Sequence, residues 1–335
     1  LPINETPIIN DETGGNDMRL CRIATGSGRS ELAFYFDEYV VPLSAVYDIY
    51  WKSAYGSQPL FPCPGDDPLP YLPPNWANYA LLSRLAKLAE TAARDESARC
   101  RLDRVKLDTP IPMPHKVICL AVNYAEHATE TGGSTAAKAE SFPFFFMKPP
   151  STTVRPSHSC VALPSNSPDA IDWEVELTAV IGTYAKDVTV EEARTVVGAY
   201  TVGLDMSNRR LLLNPGRVEQ ERTAFHEWLC GKWHDGFAPI GPCIVPADNA
   251  FDPGNRAISL SVNGRTMQDS NTSHMIFDVY ELVSYASRIM TLEPGDIIMT
   301  GTPSGVGMAR NCFLKRGDEI TASVEGIGTL RATIV

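Results

Sequence analysis

Asp172-Trp173-Glu174-Val175-Glu176-Leu177 places a carboxylate at every second position. On a strand, successive side chains point to opposite faces, so Asp172, Glu174 and Glu176 share one face while Trp173, Val175 and Leu177 share the other. The next residues, Ala179-Val180-Ile181, read as buried on both faces. Carboxylates that near one another, on a strand entering a core, repel and desolvate badly unless a cation lies between them. The plainer reading is an edge strand with a solvated acidic face. Asp205 closes the apolar strand AYTVGLD. A third carboxylate at a strand end completes a hard-cation site, although alone it reads equally as a turn residue. Three carboxylates suit Mg²⁺ or Mn²⁺, with Ca²⁺ a further candidate, and leave coordination positions open to a substrate.

His127 and Glu130 stand three residues apart, directly after the apolar run VICLAV. On a helical turn the two side chains share a face. A carboxylate beside an imidazole raises its basicity and fixes its tautomer, which makes a general base for water. The alternative is a solvated turn with a weak ion pair. Lys232 is flanked by glycine and aromatics in GKWHDGF. There it either faces an anion half-buried or snorkels to solvent. GTPSGVG (301–307) has no GK[ST] and so is no phosphate P-loop. Its backbone N–H groups could face a carboxylate, with a tight structural turn as the alternative. The remaining histidines (His115, His158, His226, His234 and His274) have no spacing that demands a role.

These residues need elements to hold them. Short strands are expected at Leu20–Ile23, Ala33–Phe36 and Val40–Leu43. Seven prolines between Pro59 and Pro74 exclude regular helix and central strand there. Trp76, Tyr79, Leu82, Leu85 and Leu88 recur at helical spacing and predict a helix from about Asn75 to Glu96. After Pro110–Pro114 strands dominate: 117–122, 142–148, 172–182, 199–205, 295–301 and 319–335. Asn263-Gly264 predicts a type I′ hairpin over 258–268. Thr189 and Glu192 have capping-box spacing, and Ile276, Val279, Leu282, Val283, Ala286 and Ile289 form a helical apolar face. Few helices and no βαβ alternation point to a β-rich α+β fold with a mixed sheet.

At 335 residues the chain is long enough for about two domains, and 44% hydrophobic residues support a sizeable core. The division expected is a disordered extension over 1–17, a small N-terminal domain over 18–110 and a catalytic domain over 111–335. A net charge of −11 argues against nucleic acid and anionic membrane as partners. No apolar run approaches a membrane span. Eight scattered cysteines without a CxxC pair read as free thiols in a reducing, cytoplasmic setting.

Taken in order, NYAEHATE (123–130), FMKP (146–149), DWEVELTAVIG (172–182), GLDMSNR (203–209), GKWHDGFAPIGP (231–242), VNGRTMQ (262–268), LEPGDIIMTGTPSGVG (292–307) and LKRGDEI (314–320) resemble the fumarylacetoacetate hydrolase family over about 115–335. The resemblance implies a mixed β-sandwich roll that cups the active site, assembled as a homodimer. It implies Glu174, Glu176 and Asp205 as metal ligands, His127 and Glu130 as the water-activating dyad, and Lys232 near the developing negative charge. Tyr124, Lys148, Arg209 and Thr302 are the implied substrate-binding groups. The chain departs from the family at Leu212, where a glutamine is often found, and in an insertion-like stretch over 211–228. The implied activity is metal-dependent C–C hydrolysis of an acylpyruvate-like 2,4-dioxo acid through an enolate. The alternatives are decarboxylation of an oxaloacetate-like acid or enol–keto isomerisation on the same scaffold. A binding protein that kept only the fold is disfavoured by the intact carboxylates, dyad and lysine.

Overall fold

Strands that are apolar on both faces need cover on both sides, and three layers supply it. The computed structural model describes residues 18–335 except 27, 57–62, 64, 97, 131, 133–137, 212, 215, 217 and 249. The extension expected over 1–17 and the Leu212 departure therefore lie outside the described residues. The principal sheet has twelve strands among the described residues. Its main path runs Cys100–Arg101, Tyr39–Pro42, Ser30–Tyr35, Leu20–Ala24, Ala238–Pro246, Val197–Leu204, Val175–Ile181, Ile297–Met299, Val117–Leu120 and Phe145–Lys148. Most pairs are antiparallel, but Ile297–Met299 runs parallel to Val117–Leu120, so the sheet is mixed.

Side-chain alternation sorts the two faces of this sheet. Leu177, Ala179, Ile181, Val202 and Cys243 face a second sheet, where Leu260, Ile320, Ala322 and Leu330 meet them in one core. That sheet runs Arg265–Asn271, Ala257–Val262, Glu319–Val324, Gly328–Ile334 and Ser159–Val161. Val180, Ala199, Ile244 and Met299 face the other way and pack with Leu82, Leu85 and Ala89 of a helix. The result is the β-rich α+β sandwich expected from the sequence. Among the described residues, no helix is long and apolar enough to cross a membrane, and the described cysteines are all free.

Several elements follow their local signals closely. Asn263 and Gly264 both have positive φ (50° and 76°), as a type I′ turn requires. Thr189 and Glu192 form the reciprocal capping box. The helix expected from Asn75 spans Trp76–Ala92, four residues short of the end expected at Glu96. Leu43–Tyr55 is a helix that the sequence reading did not include. The strand expected over 172–182 is two strands, Ile171–Asp172 and Val175–Ile181, with a break at Trp173 and Glu174. The leading segment extends the principal sheet: Leu20 pairs opposite Ile244.

Candidate active site

The two glutamates come from the start of the central strand, and Asp205 follows its neighbour Val197–Leu204. The antiparallel register sets Val175 against Leu204 and Glu176 against Gly203, which carries Asp205 next to Glu174. Ligand oxygens of Glu174, Glu176 and Asp205 lie within 4.8 Å of one another. All three are buried, which removes the solvated-edge reading for this strand. Buried anions need counter-charge, and two lysines and an arginine provide it. Lys232 Nζ lies 2.7 Å from both Glu174 Oε2 and Asp205 Oδ2. Lys148 Nζ lies 2.6 Å from Asp205 Oδ1 and donates to the carbonyls of Met206 and Phe237. Arg209 donates to Glu174 Oε1.

The field at each group follows from this arrangement. Burial alone would raise the Glu174 carboxyl, but Arg209 and Lys232 bring it below the ordinary carboxylate range. Burial raises Glu176, and the adjacent Asp205 and Glu174 push it further up; among the described residues it accepts the Gly301 N–H at 2.7 Å. Burial lowers the Lys148 ammonium, with Asp205 pulling the other way. Burial also opposes the Lys232 charge, but Asp205 and Glu174 raise it above its ordinary value. The donor set fits a hard divalent cation, because it is all carboxylate oxygen with no nitrogen or sulfur ligand. Among the described residues the buried Tyr124 hydroxyl has no hydrogen-bond partner, and burial together with the nearby Glu176 charge raises its pKa, making it a weaker acid than an ordinary phenol. A polar atom orphaned beside a carboxylate fits a site that receives a further group.

The dyad sits on the short helix Ala125–Glu130. His127 Nδ1 lies 2.9 Å from Glu130 Oε1. Glu130 also accepts the Gly305 N–H, at 2.9 Å to Oε2 and 3.0 Å to Oε1. The GTPSGVG turn thus presents backbone N–H groups to carboxylates of the protein itself: Gly301 to Glu176, Gly305 to Glu130 and Gly307 to Asp172. Gly305 has φ +108°, and a Cβ there would lie 2.1 Å from the Met267 carbonyl oxygen, so only glycine fits. Thr302 is buried, donates to the Val175 carbonyl and accepts from Gln268 Nε2.

His127, Glu174, Arg209 and Lys232 share a cavity of about 390 Å³. Its outer wall is built by Leu211, Ala224, Glu227 and Trp228. The insertion-like stretch therefore holds a helix, Thr223–Cys230, at the cavity. Trp228 packs edge-on against Phe146, ring centroids 5.1 Å apart, and both rings flank the Lys232 ammonium. The sequence reading missed two contributors. Gln268 accepts the Val175 N–H and anchors Thr302; its signal was its place at the end of VNGRTMQ. Asp172 was grouped with the glutamates, yet it turns to the glycine-rich turn and to Arg209, whose Nε lies 2.9 Å from its Oδ2.

Residues 116–335 match the family model described as fumarylacetoacetate (FAA) hydrolase C-terminal. The chain is 39% identical over 228 residues to the Rattus norvegicus protein named oxaloacetate tautomerase Fahd2a, mitochondrial, an alignment covering 68% of each. Its fold is similar to the solved structure of a fumarylacetoacetate hydrolase from psychrophilic Exiguobacterium antarcticum, with TM-score 0.69 and 29% identity over 95% of this chain and 99% of that one. It is also similar to a fumarylpyruvate hydrolase from Pseudomonas aeruginosa solved in complex with Mn²⁺ and pyruvate, with TM-score 0.57 and 36% identity over 66% of this chain and 90% of that one. The matched region contains the buried acids, the dyad and the glycine-rich turn; the chain belongs to the fumarylacetoacetate hydrolase family.

Proposed function

We propose that this chain is a divalent-metal-dependent hydrolase that cleaves a C–C bond in an acylpyruvate-like 2,4-dioxo acid. The observation that carries this reading is the His127–Glu130 pair at 2.9 Å, facing the same cavity as Glu174 and Lys232. Glu174, Glu176 and Asp205 would hold Mg²⁺ or Mn²⁺, which when bound supplies Lewis-acid polarisation of a 2-oxo acid's carboxylate and keto oxygens. With Nδ1 held by Glu130, the His127 imidazole would take a proton from a water attacking the C4 carbonyl. Glu130, fixed by the Gly305 N–H, stabilises the imidazolium that forms. The bond between C3 and C4 breaks, the acyl group leaves as a carboxylic acid, and pyruvate leaves as its enolate. Lys232 offsets that developing negative charge. Tyr124 and Arg209 are proposed to contact the substrate from the cavity side, while Lys148 and Thr302 hold Asp205 and the strand carrying Glu176 in place. A homodimer is proposed as the working unit, supported by the exposed Met147 on the outer edge strand of the principal sheet and the exposed Phe142 and Phe144 in the segment just before it.

A second reading is enol–keto tautomerisation of an oxaloacetate-like acid, or its decarboxylation. The name of the rat relative favours the tautomerase form. There His127 would move a proton between carbon and oxygen and no water would be consumed. The two readings separate on a small panel of 2-oxo acids with added Mg²⁺, with pyruvate, CO₂ and isomerised product assayed separately. Pyruvate release from acylpyruvates supports the hydrolase. Rapid change in the oxaloacetate enol signal, with negligible acylpyruvate cleavage, would replace it with the second reading.

A further inference from the structure

We infer that Asp172 is a positioning residue that sets the orientation of Glu174 through Arg209, an inference that rests on Glu174 being a metal ligand. Asp172 is fully buried and accepts four donors. Its Oδ1 receives the N–H groups of Trp173 at 2.8 Å and Gly307 at 2.6 Å. Its Oδ2 receives the Met308 N–H at 3.0 Å and Arg209 Nε at 2.9 Å. A second nitrogen of the same guanidinium, Nη2, donates to Glu174 Oε1. A guanidinium is a rigid planar fork, so fixing Nε on Asp172 fixes where Nη2 meets Glu174. Lys232 holds the other oxygen of Glu174 at 2.7 Å, so both oxygens of that carboxylate have set directions.

The charge matters as well as the shape. Asp172 and Glu174 divide one guanidinium between them. Without the negative charge of Asp172, Arg209 has Glu174 as its one carboxylate partner and draws it away from any cation it serves. The turn supports the arrangement, because a Cβ on Gly307 would lie 2.7 Å from Asp172 Oδ1 and 2.2 Å from the Cys312 carbonyl oxygen. The backbone thus comes near enough to donate to Asp172 only with glycine there. A purely structural alternative exists: Asp172 fastens the turn and does nothing to Glu174.

The two are separated by calorimetric titration of Mn²⁺ into the full chain, comparing wild type, D172N, R209Q and D172N/R209Q, with thermal unfolding recorded for each. Partners that orient a ligand typically change metal affinity by about 10–100-fold when removed, and a loss of that order is expected for D172N. In the R209Q background D172N is expected to cause no further loss, because its route to Glu174 is already gone. Equal Mn²⁺ affinity in wild type and D172N overturns the inference alone, as does the same fold-loss in both backgrounds. No Mn²⁺ binding by the wild type overturns the metal site and this inference with it. If D172N does not fold, R209K decides: it leaves the turn intact, but an ammonium cannot span both carboxylates. It is then expected to weaken Mn²⁺ binding about tenfold or more, and unchanged affinity would overturn the inference.

Discussion

Three acids and three cationic side chains meet near the ends of the central strands: the buried Glu174, Glu176 and Asp205 against Lys148, Lys232 and Arg209. Glu176 is the acid on which no side-chain cation is placed among the described ion pairs, and its carboxyl is raised by burial and then by its two acidic neighbours. Glu176→Gln is therefore expected to abolish Mn²⁺ binding in a calorimetric titration; binding of wild-type strength would remove it from the ligand set. Lys148 is buried against Asp205, and truncating one member of a buried pair strands the other charge. Lys148→Met should cost about 3–5 kcal/mol in urea unfolding, and a loss under about 1 kcal/mol would show the pair to be dispensable. His127→Ala should slow acylpyruvate hydrolysis by roughly 10²–10⁴-fold while leaving Mn²⁺ bound. Loss of metal binding in that variant would mean that the imidazole supports the acid cluster instead. The acids were legible in the sequence because their spacing is incompatible with burial unless charge is balanced. Asp172 was not, because its alternation with Glu174 looked the same until the break at Trp173 turned it elsewhere.

At the level of elements, the GTPSGVG turn organises the site: its N–H groups fasten Glu176, Glu130 and Asp172 together. Gly305→Ala places a side chain at φ +108° and against the Met267 carbonyl. It is expected to cost at least about 1 kcal/mol in thermal or urea unfolding and to lower kcat through the displaced dyad. An unchanged melting curve would contradict that geometry. The helix Thr223–Cys230 forms the outer wall of the cavity, so replacing residues 211–228 with a short linker should change KM and acyl-group preference far more than Mn²⁺ affinity. Identical kinetics across the substrate panel would remove it from the site. The Trp76–Ala92 helix and the Asn263-Gly264 hairpin were readable from periodicity and turn chemistry. Leu43–Tyr55 was not, because Val46, Tyr47, Tyr50 and Trp51 are weak helix formers held in place by the core they pack against. The wall helix was hidden by its shortness and a nearby Pro-Gly.

At the scale of the molecule, the leading segment and the catalytic strands share a sheet and a core. Leu20, Leu82 and Leu85 pack in one cluster with Val180, Ile240, Ile244 and Met299. A fragment beginning near residue 111 keeps every candidate ligand but uncovers that apolar face. It should unfold at lower urea concentration than the full chain while still binding Mn²⁺; an unchanged midpoint would mean that the leading segment contributes little to stability. The sandwich itself was readable from strand-rich patterning and motif order. The continuity of the sheet across the Pro110–Pro114 break was not, because pairing between distant strands leaves no local mark. The account as a whole rests on a divalent cation held by Glu174, Glu176 and Asp205. Its most direct test is pyruvate release from an acylpyruvate by the exhaustively chelated full chain, before and after Mn²⁺ is added back. The account predicts no turnover after chelation and restored turnover with Mn²⁺ in the wild type but not in Glu176→Gln. Full turnover by the metal-free chain would contradict it.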